Sequence, residues 1–182
     1  VKNVLVLVGS LRARSINRTY AHALEKLAAG KLAFTHADLD LPLYNDDLWQ
    51  SPPEKVVKLK AQIKAADGIL FVTPEYNRSL PAVTKNAVDW ASRPFGQSVW
   101  AGKAVGVTGA SPGSIGTAVA QSQLRSSLVI LETHVMGGPE VYLTFKPDQI
   151  DDDGNVLNDK TAQFLTSFID RFADWVGKFS DK

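Results

Sequence analysis

The chain has 182 residues, 45% of them hydrophobic, which is enough for one covered core and short for two, so a single domain over residues 1–182 is expected. Twenty basic and nineteen acidic residues leave a net charge of +1, which argues against nucleic acid or an anionic membrane as a partner. With no cysteine there are no disulfides, no thiolate catalysis and no cysteine-ligated metal, a composition consistent with a cytoplasmic home.

Val4-Leu5-Val6-Leu7-Val8 is continuously apolar and far too short to span a membrane. Its unbroken apolar run predicts a strand covered on both faces, hence a parallel central sheet. Tyr20, Leu24 and Leu27 then recur at helical spacing with Ala21 and Ala28, and Gly30 offers a stop. A short second strand over Leu32 to Leu39 leads into a Pro-interrupted ordered loop, Leu41 to Pro53, with Tyr44 and Trp49 open to use as a site wall, a subunit contact or core cover. Helix two carries Val56, Leu59, Ile63 and Ala66 on one face.

Gly68 to Thr73 reads as strand three, and beyond the loop Pro74 to Leu80 a third helix carries Val83, Ala87 and Trp90, with Pro81 suited to its first turn. Ala104 to Thr108 is strand four, followed by a loop from Gly109 to Gly116 and a helix to about Leu128. Leu131 to Leu143 is taken as strand five, and Phe164, Phe168, Phe172, Trp175 and Phe179 make the last helix amphipathic. Five alternations of strand and helix predict a doubly wound α/β sheet with helices on both faces.

In such a sheet ligands bind beyond the carboxyl ends of the strands, where the strand order reverses. Three loops converge there. The first, Gly9-Ser10-Leu11-Arg12-Ala13-Arg14-Ser15-Ile16-Asn17, enters a helix whose N-terminal amides favour an anion, and Arg12 suits phosphate oxygens. The simpler alternative is a Ser15 or Asn17 helix cap beside solvated arginines. With Gly9 its only glycine, the loop is neither a dinucleotide fingerprint nor a triphosphate loop, and it suits the single phosphate of a mononucleotide. The second, Pro74-Glu75-Tyr76-Asn77-Arg78-Ser79-Leu80, joins an aromatic to hydrogen-bonding groups, as a heteroaromatic ring requires, or is an ordinary turn.

The third loop, Gly109-Ala110-Ser111-Pro112-Gly113, has the letters of a serine-hydrolase nucleophile elbow. Pro112 lacks the N–H that an oxyanion hole needs after the nucleophile, and Glu132 and His134 are too close together to complete a triad. Its small residues are read instead as room for close approach to a flat ligand. Asp151-Asp152-Asp153-Gly154 is read as a turn, because a calcium loop in that register would end on Lys160. His22, His36 and His134 show no metal spacing, and the first two are taken as a helix and a strand residue.

Gly9-Ser10-Leu11-Arg12 with Ser15 and Asn17, and the string Pro74-Glu75-Tyr76-Asn77 through Ser79, Pro81, Lys85-Asn86, Ala87 and Asp89-Trp90, resemble the NADPH-dependent FMN reductases, bacterial quinone and chromate reductases included. The resemblance implies a flavodoxin-like sheet of five parallel strands in the order 2-1-3-4-5. It implies that Ser10, Arg12, Ser15 and Asn17 hold the phosphate of FMN, with Ile16 among the cofactor-binding positions. It also implies that Pro74, Glu75, Tyr76 and Asn77 line the isoalloxazine ring and that Ser111 and Gly113 lie near it. The implied reaction passes electrons from NAD(P)H through FMN to a quinone or similar small acceptor by alternating steps. Related activities are supply of reduced FMN to a monooxygenase and electron carriage without NAD(P)H oxidation. A homodimer or homotetramer is implied, with a neighbouring subunit closing the site. Thr84 stands where leucine is usual and is expected to affect packing only. Arg78 sits where the family tolerates several residues and is open to a role at the site mouth or in a subunit contact.

Overall fold

The computed structural model describes residues 1–180. Strands β1 (Lys2–Val8), β3 (Gly68–Val72) and β4 (Ala104–Ser111) form the middle of a parallel sheet, with β2 (Leu32–His36) outside β1. Strands β5 (His134–Val135) and β6 (Tyr142–Thr144) both pair with β4, at its start and its end respectively. The order β2-β1-β3-β4-β5 is the one expected. What was read as a single fifth strand over 131–143 is two short strands. Gly137, Gly138 and Pro139 lie between them, and proline has no N–H to give a ladder.

Side chains leave the central strands alternately to two cores. Val4 and Val6 face helices α1 (Ile16–Leu27) and α5 (Asp159–Ser180), packing with Tyr20, Leu24, Phe168 and Phe172. Leu5 and Leu7 face α2 (Glu54–Ala65), α3 (Ala82–Ser92) and α4 (Ala118–Val129), among Leu59, Ile63, Val88 and Leu124. Each such aliphatic or aromatic side chain contributes about 1.5–3 kcal/mol on full burial, so the two cores fix the strand order and the shared edge on which the loops meet.

Boundaries differ from the sequence reading in small, explicable ways. Strand β2 stops at His36 rather than Leu39, while β4 continues through Gly109 to Ser111 because β6 supplies a ladder there. Pro81 precedes α3 as its N-cap rather than lying in its first turn. Phe164 is exposed although the rest of the aromatic face of α5 is covered or half-covered.

The loop over 41–53 is ordered around a 3-10 turn, Asp46–Gln50. Trp90 and Asn86 of α3 hold it. The Trp90 indole N–H donates to the Pro42 carbonyl at 2.7 Å, and the Asn86 carboxamide donates to the same carbonyl at 2.9 Å and accepts the Tyr44 amide at 2.8 Å. Tyr44 and Trp49 stand edge-on to the Trp90 ring at 4.9 and 5.3 Å, so both cover the core. Asp151 to Gly154 is a turn, as read: Asp151 accepts the Asn155 amide at 2.7 Å and Gly154 takes a positive φ. No helix among the described residues is long and apolar enough to cross a membrane.

Candidate functional site

The three loops meet in a cavity of about 180 Å³ beyond the carboxyl ends of β1, β3 and β4. From the first loop it takes Ser10, Arg12, Ser15, Ile16 and Asn17, from the second Pro74, Glu75 and Tyr76, and from the third Ala110, Ser111 and Pro112. A second cavity of about 320 Å³ shares Glu75 and Ser111 with the first and adds Asn77, Arg78 and Gly113. All eleven residues proposed from the sequence therefore line one trough, nine of them in the first cavity and Asn77 and Gly113 in the second. Ala110 and Pro112 also line it. Their loop had been recognised, but apolar side chains carry no chemical signal of their own.

Ser15 is the N-cap of α1 and a buried residue, yet its hydroxyl makes no capping bond. Ser10 is buried next to it, and the first amides of α1 have no intrahelical acceptor. Two serine hydroxyls that line the cavity, free helix amides and the exposed guanidinium of Arg12 make a cradle for a phosphate. This favours the anion reading over the simple cap.

Asn17 has a different job from the one its type suggested. Its carboxamide donates to the Ala110 carbonyl at 2.8 Å and accepts the Ala110 amide at 2.9 Å, so the side chain splices the first loop to the end of β4. Both of its polar ends are committed to protein. Any hold of Asn17 on an anion runs through its backbone at the second position of α1.

Glu75 is likewise a fastener. Its Oε2 accepts the amides of Val119 at 3.0 Å and Ala120 at 3.1 Å, placing a carboxylate at the start of α4 where two amides lack intrahelical partners. Tyr76 and Ser79 exchange backbone hydrogen bonds at 3.0 Å in each direction, closing a hairpin whose two central residues, Asn77 and Arg78, have φ of 53° and 61°. The hairpin holds the exposed Tyr76 ring at the trough.

Gly9 and Gly109 make room for close approach within the protein itself. A Cβ on Gly109 would stand 2.0 Å from the Thr73 carbonyl oxygen, and one on Gly9 would stand 2.2 Å from Thr84 Oγ1. Gly109 therefore lets strands β3 and β4 end side by side, and of the small residues read as room for a flat ligand it is Ala110, Ser111 and Gly113 that line the trough. Thr84 is buried with its hydroxyl unpartnered and packs beneath the first loop.

Ser111 has no hydrolase machinery. His134 pairs in register with Ala104, at the opposite end of β4, so about 20 Å of strand separates it from Ser111. Its ring stacks on Phe179 at 4.0 Å. His22 and His36 do lie on α1 and β2 as expected, but the fold brings their rings to 5.2 Å from one another.

With this geometry in place, the comparison with known proteins decides the family. The profile of the NADPH-dependent FMN reductases matches residues 2–148. The chain belongs to that family. It is 48% identical over 174 residues to a 2-hydroxy-1,4-benzoquinone reductase of Burkholderia sp, covering 95% of each chain. It is 49% identical over 178 residues to a quinone reductase of Pseudomonas putida, covering 97% of this chain and 95% of the relative. Among solved structures it is similar to the flavoenzyme NAD(P)H:(acceptor) oxidoreductase FerB of Paracoccus denitrificans, with a TM-score of 0.96 and 48% identity over 98% of this chain and 99% of that one. The trough suits the family's flavin mononucleotide, with an anion cradle at one end and an aromatic hairpin beside it.

Proposed function

We propose that the protein is an FMN-dependent NAD(P)H:quinone oxidoreductase, converting NAD(P)H, a proton and a quinone to NAD(P)⁺ and a hydroquinone, with the two substrates using one site in turn. The observation that carries this reading is the convergence of the phosphate cradle, the Tyr76 hairpin and the Ala110 to Pro112 segment on one trough. The quinone is supported by what similar proteins are called. FMN, when bound, supplies the two-electron relay between the substrates.

The chain's own residues bind and orient. Ser10, Ser15 and the first amides of α1 would hold the phosphate, with Arg12 adding charge-assisted hydrogen bonds from the trough mouth. Pro74, Tyr76, Asn77, Ser111 and Gly113 would form the walls of the ring site. Glu75 and Asn17 keep the three loops in register, so the cradle and the ring site hold a fixed separation.

The test is anaerobic addition of NADH and of NADPH to purified yellow protein, followed by a benzoquinone. Bleaching by a nicotinamide and recovery of colour by the quinone are expected, with parallel double-reciprocal initial-velocity lines. Intersecting lines would reject alternating use of one site, and flavin that neither nicotinamide bleaches would make the protein a carrier.

A homodimer or homotetramer in the cytoplasm belongs to the same proposal. Phe95 is 95% exposed and Ile130 81% exposed, and both line a groove of about 600 Å³ between the ends of α3 and α4, an apolar surface suited to a second subunit.

A further inference from the structure

His22, Glu25 and His36 come from two separately packed elements and converge on one point. His22 and Glu25 stand three residues apart on α1, on the same helix face, and His36 closes β2 opposite Val6. His22 Nδ1 lies 3.3 Å from Glu25 Oε2, and His36 Nε2 lies 3.2 Å from that same oxygen. All three ligand atoms fall within 4.8 Å of one another.

Zinc binds imidazole nitrogen and carboxylate oxygen at about 2.0–2.2 Å, so two ligands on one tetrahedral edge are separated by about 3.3 Å. The two imidazole-to-carboxylate separations match that edge. Two imidazoles aimed at a single carboxylate oxygen are also a donor set that a divalent cation satisfies at once. Neutral nitrogens and one carboxylate suit zinc, copper(II) or nickel(II) rather than magnesium or calcium, which take oxygen ligands.

The site has room for the remaining coordination positions. His22 and His36 line a cavity of about 440 Å³, together with Arg18, Asp38 and, from the phosphate loop, Ser10 and Leu11. The Asp38 carboxylate in this cavity is paired with the Lys55 ammonium at 2.9 Å. The turn around Gly154 packs against His22, where a Cβ on Gly154 would stand 3.1 Å from the His22 Cβ, and so supports the helix at this point.

We propose that His22, Glu25 and His36 form a three-ligand site for a divalent transition-metal ion, with its open positions facing the cavity behind the phosphate loop. None of the three ligands lines the flavin trough, although the cavity they face shares Ser10 with it, and the site does not depend on the redox reading.

Tag-free holoprotein dialysed against Zn²⁺, with bound metal and flavin counted together, tests this directly. One zinc per chain is expected, with at least tenfold weaker binding in His22→Ala and in His36→Ala. His134→Ala, a substitution at the far end of the sheet, should leave zinc binding unchanged. Cu²⁺ added to wild type should show pulsed paramagnetic-resonance couplings from two imidazoles, falling to one in either variant. No stoichiometric zinc, binding that survives both substitutions, or a copper signal without two imidazoles would each overturn the assignment. The copper measurement on wild type needs no variant to fold.

Discussion

The Asn17 carboxamide pairs with the backbone of Ala110 in both directions, taking the place of a neighbouring strand at the end of β4. Asn17 is 1% exposed, so the Ala110 N–H and C=O have no water to turn to if the side chain is cut back. Asn17→Ala should cost about 2–6 kcal/mol, because a buried donor or acceptor left unmade costs about 1–3 kcal/mol each. The urea midpoint should fall accordingly. FMN affinity should fall with it, since the same bond holds the first loop against the third.

Arg12 belongs to the trough but not to the core, and its loss should separate binding from folding. Arg12→Ala should leave the thermal midpoint within a degree or so of wild type, as exposed substitutions usually change stability by less than about 0.5 kcal/mol. Affinity for FMN should drop about tenfold to a hundredfold, the value of a charge-assisted hydrogen bond of about 1.5–3 kcal/mol. Riboflavin carries the same ring without the phosphate, and its affinity should be unchanged. Fluorescence titrations with both flavins make the comparison, and an equal loss for both would move the phosphate away from Arg12.

How much of this was legible in the sequence depends on how far each feature reaches along the chain. The apolar runs at Val4 to Val8, Gly68 to Val72 and Ala104 to Val107 report burial on both faces, and burial is a local property of a strand, so the sheet centre could be read. The split of the fifth strand carried its own signal, the Gly137-Gly138-Pro139 break, which the apolar residues on either side masked. The convergence of three loops followed from topology. The fastening roles of Asn17 and Glu75 did not, because their partners lie 93 and 44 or 45 residues away and are backbone groups that leave no mark in the sequence. Ser10, Ser15 and Arg12 were readable because hydroxyls and a guanidinium ahead of a helix say what they favour without reference to a distant partner. The pairing of His22 with His36 is set by the docking of α1 on β2, which no spacing rule contains.

Glu75 should be felt as a helix cap before it is felt as a site residue. Glu75→Ala strips the start of α4 of the carboxylate that accepts from Val119 and Ala120, at a cost of about 1–2 kcal/mol. Glu75→Gln keeps an acceptor but loses the charge, so it should cost less than half as much. Thermal unfolding of the two variants ranks them, and equal losses would show that the charge at the helix end contributes all of the effect.

Arg78 occupies a left-handed position that suits glycine, and its carbonyl makes only a long hydrogen bond of 3.4 Å with the Gln123 side chain. Arg78→Gly relieves about 1–2 kcal/mol of backbone strain and adds about 0.5–1 kcal/mol of unfolded-state entropy, leaving a net gain of up to about 1.5 kcal/mol. For a chain of this size that raises the thermal midpoint by at most about 3–6 °C. Any change in quinone preference in the same variant would come from the lost guanidinium at the trough mouth, and Arg78→Asn separates the two effects by keeping a residue tolerant of positive φ.

Tyr20 sets an alkaline limit on the fold. Its ring is fully buried and its hydroxyl shares a 2.9 Å hydrogen bond with Thr108 Oγ1, and burial raises its ionisation well above the usual tyrosine range. In the unfolded chain the phenol ionises near pH 10, whereas in the folded chain it stays protonated. Above that pH the unfolded state binds fewer protons than the folded state, so stability from this group is intact below about pH 10 and is lost progressively above it. Tyr20→Phe should cost about 1 kcal/mol near neutrality, the value of one hydrogen bond, with Thr108 still able to donate to the Val141 carbonyl at 3.3 Å. Between about pH 10 and 11.5 the variant should lose stability less steeply than wild type, so the gap between their urea midpoints should narrow as pH rises. A gap that stayed constant over that range would mean that Tyr20 ionises in the folded protein as it does in the unfolded one, against its burial.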